Sequence, residues 1–271
     1  MTFKIGFTAE NTERTSAEDA YTPSPHTMTP KRSVVQVHFE SRNMTLAYYN
    51  DRFDLHCGDM VYVDGKLEGH RGQIVDVNYN FKIKIADYKR VIAVVDTTVS
   101  GEFFMAGSHV ITFDRTALPK EKVVTWFRAP RTEDDEFISG SDDSSFSIDD
   151  FSGIQVSAAI AERGHAYYME NRVRYLSIDG TSGYAIVEGS QPYEVEFQYH
   201  NGEISQLTCS CFCSYNCKHE FAAMLQLRET LEIIEERYSE QLARTGHFAA
   251  VSKVTLFAYA VNGKREGRFT L

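Results

Sequence analysis

No apolar run of roughly 18 residues occurs in this chain, so no membrane-spanning helix is expected. The first thirty residues lack an apolar core of signal-peptide length, so a cytoplasmic location is expected. Neither GxxxxGK[ST] nor GxGxxG is present, so no nucleotide-phosphate loop can be assigned. A basic segment is missing too. The net charge is -10. Residues 1–130 balance, residues 131–152 carry one basic and eight acidic side chains, and residues 153–271 carry 11 basic and 14 acidic. That balance argues against an extended nucleic-acid face, although a local patch is compatible with it. Tryptophan occurs once, as Trp126, and reads as a core or interdomain packing residue.

Cysteine is scarce, and its distribution is uneven. Four of the five cysteines fall within nine residues, in LTCSCFCSYNCKHEF. Thiolate and imidazole are the ligands of tetrahedral zinc, and reducing cytoplasm favours metal over disulfide. Three thiolates and one histidine close the coordination shell, which points to structural Zn2+ rather than catalysis. The preferred set is Cys209, Cys211, Cys217 and His219. Cys209 and Cys211 follow a strand-like SQLT. Cys217 and His219 open EFAAMLQLRETLEIIEERY, where Phe221, Met224, Leu225, Ile233 and Ile234 recur at helical spacing. Cys213 is the spare, and an alternative ligand in place of Cys209.

The CxC, short spacer and CxH resemble the SWIM zinc finger, and the likeness extends upstream through ERGHAYYMENRVRYLSIDGTSGYAIVEG to the CxC. The resemblance implies a short helix with paired aromatics (Tyr167 and Tyr168), a small antiparallel sheet that delivers the cysteines, then a helix. It covers about residues 153–238 and implies binding of protein or DNA rather than catalysis.

The fold class read from the pattern is α+β. Residues 1–30 read as a flexible arm. Residues 31–130 hold short strand-like runs (VVQVHF, MTLAYY, MVYVDG, GQIVDVNY, FKIKIADY, RVIAVVD, HVITF) and suggest a small β-barrel or sandwich, resembling an SH3-like barrel. Residues 131–152 read as an acidic linker. Residues 153–240 form the SWIM-like zinc-binding domain, whose limited apolar core suggests that it needs its metal to fold. Residues 241–271 read as a terminal β-hairpin around Asn262-Gly263.

Other candidates carry less chemistry. Cys57 beside His56 lacks the geometry of a nucleophile pair, because neighbours on a strand face opposite ways. Glu229, Glu232, Glu235, Glu236 and Glu240 read as the solvated face of the last helix. Arg163, Arg172, Arg174 and Lys218 are the candidate phosphate contacts. The reading is a non-enzymatic zinc protein with a macromolecular partner and no small-molecule substrate. Charge favours a protein partner over nucleic acid. The alternative is an accessory subunit acting in trans on a DNA helicase or translocase.

Overall fold

The computed structural model describes residues 4–6, 32–99, 101–130, 145–211, 213 and 215–261. It is a mixed α/β structure with two antiparallel sheets and few helices. After a short strand β1 (Lys4–Gly6) come five strands of one sheet. They are β2 (Ser33–Phe39), β3 (Met44–Asn50), β4 (Met60–Val63), β5 (Arg71–Asn78) and β6 (Val91–Val94), in the order β3-β2-β5-β4-β6. Period-two spacing in SVVQVHF puts Val35, Val37 and Phe39 on one face, and all three are fully buried against Val61, Val63 and Ile74. Gly72 on β5 lets that face close, because a Cβ there would stand 2.3 Å from Val37 Cγ1. An isolated bridge from Tyr49 to Arg90 brings β3 to the start of β6.

The chain continues with β7 (Glu102–Ala106), β8 (Val110–Phe113), α1 (Lys120–Phe127), β9 (Ser145–Ser147) and α2 (Ala158–Met169). Then come β10 (Val173–Asp179), β11 (Ser182–Glu188), β12 (Pro192–His200) and β13 (Glu203–Cys209). The last elements are α3 (Lys218–Ile233), a π-helical turn (Ile234–Tyr238), α4 (Ser239–Thr245), β14 (His247–Ser252) and α5 (Lys253–Leu256). Nine strands form the second sheet, in the order β1-β7-β8-β14-β10-β11-β12-β13-β9. One of its faces packs Leu176, Ile178, Ala185, Val187, Val195, Phe197 and Leu207 against Ala222, Ala223, Met224 and Leu227 of α3. Tyr184 alternates to the opposite face, where Lys120 of α1 lies over its ring at 3.8 Å. Trp126 is fully buried and stacks on Tyr259 at 5.3 Å, as a core residue.

Several boundaries differ from those read in the sequence. The described chain divides into two compact units, and β1, β7, β8 and α1 belong with the C-terminal elements rather than with residues 32–96. The cause is long-range pairing. Thr112 on β8 lies opposite Ala250 on β14, and its hydroxyl donates to the Ala249 carbonyl at 2.8 Å. FKIKIADY is no strand; it contains a 3-10 turn, Ile85–Asp87. Of the expected arm, residues 4–6 pair with β7 and the remainder lies outside the described residues. Of the expected acidic linker, 131–144 lies outside them, while β9 pairs with β13 and buries Phe146. The terminal hairpin does not form as expected. Residues 247–252 insert between β8 and β10, and VTLFAYAV falls in α5 and a following π-helical turn. Ser252 starts that helical stretch, its hydroxyl accepting from the Thr255 amide. Asn262 and Gly263 lie outside the described residues. No helix among the described residues is long and apolar enough to cross a membrane.

Candidate metal centre

Cys209 ends β13, and a bulge aims it. Glu196 pairs with Thr208, but Gln198 pairs with Ser205, so β13 carries one extra residue between them. Gln206 takes up the excess with φ of 52°, a left-handed conformation unusual for a side-chain-bearing residue. The shift breaks the alternation. Ile204 and Leu207, three apart, both face the core, and Cys209 follows in phase with Leu207. The ladder continues one residue further. Ser210 donates its amide to the Glu194 carbonyl and accepts the Glu194 amide on its hydroxyl, both at 2.8 Å. This tie holds the chain at Cys211.

The other two donors sit on the start of α3. Cys217 is its N-cap, with the thiol accepting from the Glu220 amide at 3.5 Å. Glu220 returns the contact, accepting the Cys217 amide at 2.6 Å and the Asn216 side-chain amide at 3.3 Å. This is a capping box with cysteine where serine or threonine usually stands. A thiolate there also meets the positive end of the helix dipole. The α3 N-terminal turn lies against α2 at Gly164, where a Cβ would be 2.8 Å from Phe221 Cβ and 3.0 Å from the Lys218 carbonyl.

Together these elements converge the ligating atoms of Cys209, Cys211, Cys217 and His219 to within 4.8 Å of one another. Cys217 and His219 are buried and the other two half-buried. His219 Nδ1 stands 3.6 Å from Cys217 Sγ and 3.8 Å from Cys209 Sγ. Bond lengths of about 2.3 Å to sulfur and about 2.0 Å to nitrogen at tetrahedral angles require an S···N separation of about 3.5 Å. The donor set and its spacing therefore fit a tetrahedral ion. Cys213 is exposed and stands outside the group.

A hydrogen bond with Cys217 raises the Cys209 thiol, and burial adds to it. The same bond lowers Cys217 to about 4, helped by His219 and by the Glu220 amide. Burial pushes Cys211 up to about 12. Burial, then the nearby Cys217 charge, raises Glu220 to about 8. A divalent cation bound by these four residues would place a positive charge among the converging sulfurs.

The surrounding shell is aromatic. Tyr193 stacks on the His219 ring at 4.0 Å, and Tyr167 meets it edge-on at 5.6 Å. Gly189 leaves room for the imidazole, since a Cβ there would be 3.2 Å from Nε2. That nitrogen is buried without a hydrogen-bond partner among the described residues. Sequence reading missed Tyr193, Gly189 and Glu220. Only Glu220 had a signal, the C-x-x-E spacing of a capping box.

The candidate phosphate contacts are mostly engaged. Arg172 pairs with Glu170 and Arg174 with Glu188. Arg172 and Lys218 flank the Tyr167 ring, each at 4.6 Å. Arg163 lies on the exposed face of α2, donating to the Ala159 carbonyl. Glu229 departs from the solvated face assigned to it and accepts from Tyr168 and Gln226. Cys57 is exposed and donates to the Val75 carbonyl at 3.5 Å. Comparison of the chain with protein-family models, with curated proteins and with solved structures found no match.

Proposed function

We propose that this chain is a non-enzymatic zinc-binding protein whose SWIM-like module engages another protein. The observation that carries the reading is the closed Cys3His set, four donors converging to within 4.8 Å. Four protein ligands leave no open position for water or substrate, so the ion's role is structural. The order of α2, the β10–β13 meander, the cysteine turn and α3 supports the SWIM-like assignment. Tyr167 and Tyr168 at the end of α2 agree with it. A protein partner is preferred over nucleic acid on charge. The net charge is -10, and Arg172 and Arg174 already have carboxylate partners.

Two measurements test this. Elemental analysis of the purified chain is expected to give one zinc per molecule, lost in Cys217→Ser. Titration with duplex DNA at several salt concentrations is expected to show weak binding or none. Tight binding that falls steeply with salt would replace the protein partner with nucleic acid.

A further inference from the structure

A histidine that binds metal ordinarily donates its second ring nitrogen to a carboxylate or carbonyl, and that bond fixes the ring. His219 is held differently. Its Nδ1 faces the sulfurs, 3.6 Å from Cys217 and 3.8 Å from Cys209, while Nε2 is buried without an acceptor among the described residues. Aromatic rings stand where the acceptor would be needed. Tyr193 stacks on the imidazole, with centroids 4.0 Å apart and planes 18° from parallel, and Tyr167 meets it edge-on at 5.6 Å. Strand register puts Tyr193 there. Val195 lies opposite Cys209, and Tyr193, two residues earlier on β12, shares its face. The β11–β12 turn closes over the ring. The Gly189 amide donates to the Gln191 carbonyl at 3.0 Å, and a Cβ on Gly189 would stand 2.7 Å from Tyr193 Cε2 and 3.2 Å from His219 Nε2. Arg172 braces the second ring against the same hairpin. Its amide donates to the Tyr167 carbonyl at 3.0 Å, its carbonyl accepts the Glu188 amide at 2.8 Å, and its guanidinium covers the Tyr167 ring at 4.6 Å.

We infer that Tyr193 is a positioning residue of the metal centre, its stacked ring replacing the hydrogen bond that elsewhere orients a ligating histidine. The stacked face restrains tilting of the imidazole plane, and the Tyr167 edge limits sliding across that face. Nδ1 is thereby left directed at the sulfurs. Binding through Nδ1 leaves the proton of the neutral imidazole on Nε2. A ring supplies that N–H with no acceptor, so it adds none of the basicity that a carboxylate partner would add. His219 is then the weakest of the four donors, and its contribution depends on being held in place. The Tyr193 hydroxyl takes no part in this, because its partner is Ser190 at 2.9 Å. The ring carries the role, which separates it from a hydrogen-bonding one.

The inference rests on the zinc reading, and its test separates the two. Full-length chains are titrated with zinc against a chromophoric chelator, and with Co2+ while the absorption spectrum is recorded. Tyr193→Phe keeps the ring and is expected to bind zinc within about twofold of wild type, whereas Tyr193→Leu should bind it about tenfold more weakly. With Co2+, Tyr193→Leu should retain the sulfur-to-metal charge-transfer band of three thiolates while its d–d bands move toward those of His219→Ala. A general loss of structure would diminish both together. If Tyr193→Leu does not fold, Gly189→Ala serves instead, since its Cβ displaces both rings and should give the same weakening and the same spectral change. Equal zinc affinity in wild type and Tyr193→Leu overturns the inference, as does an equal loss in Tyr193→Phe or an unmoved d–d envelope. If wild type binds neither zinc nor Co2+, the zinc reading fails, and proton NMR of the metal-free chain decides whether the ring holds the imidazole. A ring-current shift of the His219 carbon-bound protons, present in wild type and Tyr193→Phe and lost in Tyr193→Leu, supports that hold. Absence of the shift in wild type overturns it.

Discussion

Replacing Gly164 by alanine is expected to weaken both the fold and the metal centre, against the usual gain from removing a helical glycine. Propensity alone favours alanine by about 1 kcal/mol within a helix. The site is buried, however, and the new Cβ would stand 2.8 Å from Phe221 Cβ, 2.9 Å from Phe221 Cδ1 and 3.0 Å from the Lys218 carbonyl. Ordinary carbon contacts begin near 3.5 Å, so α2 and α3 must separate by about 0.7 Å. None of these atoms is the free end of a flexible chain. Overpacking of this kind costs about 1–3 kcal/mol, which exceeds the propensity gain. We expect a net loss of about 1 kcal/mol in urea denaturation of the zinc-loaded chain. The displaced turn carries Cys217 and His219, so zinc affinity should fall about tenfold in competition with a chromophoric chelator. Ala166→Gly, at an exposed position of the same helix, measures propensity alone and should leave zinc affinity unchanged. Stabilisation by Gly164→Ala, or unaltered affinity, would refute the close-approach argument.

Three further outcomes are expected. Gln206→Gly relieves a left-handed residue and should raise stability by up to about 1 kcal/mol, whereas Gln206→Val should lower it and weaken zinc binding; equal denaturation midpoints would count against the bulge. His247 is held below its ordinary range by burial and then by the Arg115 charge, against the opposing pull of Asp179 and Asp114. Its depressed value means that the unfolded chain takes up the proton first. Stability is therefore present above about pH 6.5 and declines as pH falls, and His247→Gln should flatten the fall in melting temperature between about pH 7 and 5.5. Removal of zinc with a chelator should leave far-UV circular dichroism largely intact while trypsin gains access at Lys218. Wholesale loss of the signal would show that the metal holds the entire unit.

Local chemistry was legible where it was written in contiguous residues. The CxC and CxH spacing marked the four donors, and the apolar recurrence after Cys217 marked α3. Most runs between 33 and 113 became strands at close to the expected positions. What local pattern could not reveal was pairing at a distance. Nothing in HFAAVS says that it inserts between β8 and β10, yet that insertion decides which unit β7 and β8 join. VTLFAYAV has the composition of a strand, and the Ser252 cap with its helical continuation prevailed. Glu229 looked solvated because glutamates recur along that face. Tyr168 and Gln226 give it a half-buried, hydrogen-bonded role that depends on α2 lying alongside. The bulge at Gln206 was equally silent, since glutamine has no special preference for positive φ.

The same long-range pairing bears on what a bound metal would be for. Sequence alone suggested a module with little core, dependent on zinc to fold. The nine-stranded sheet instead buries an extensive apolar face under α3, to which the cysteines add only a half-buried Cys209. Each donor is also placed by protein contacts of its own. The bulge phases Cys209, the Glu194–Ser210 exchange holds the turn at Cys211, the capping box fixes Cys217, and Tyr193 and Gly189 frame His219. The contribution of an ion bound there would then be local. It would bring a positive charge to the converging sulfurs and pin the first turn of α3 to the end of β13.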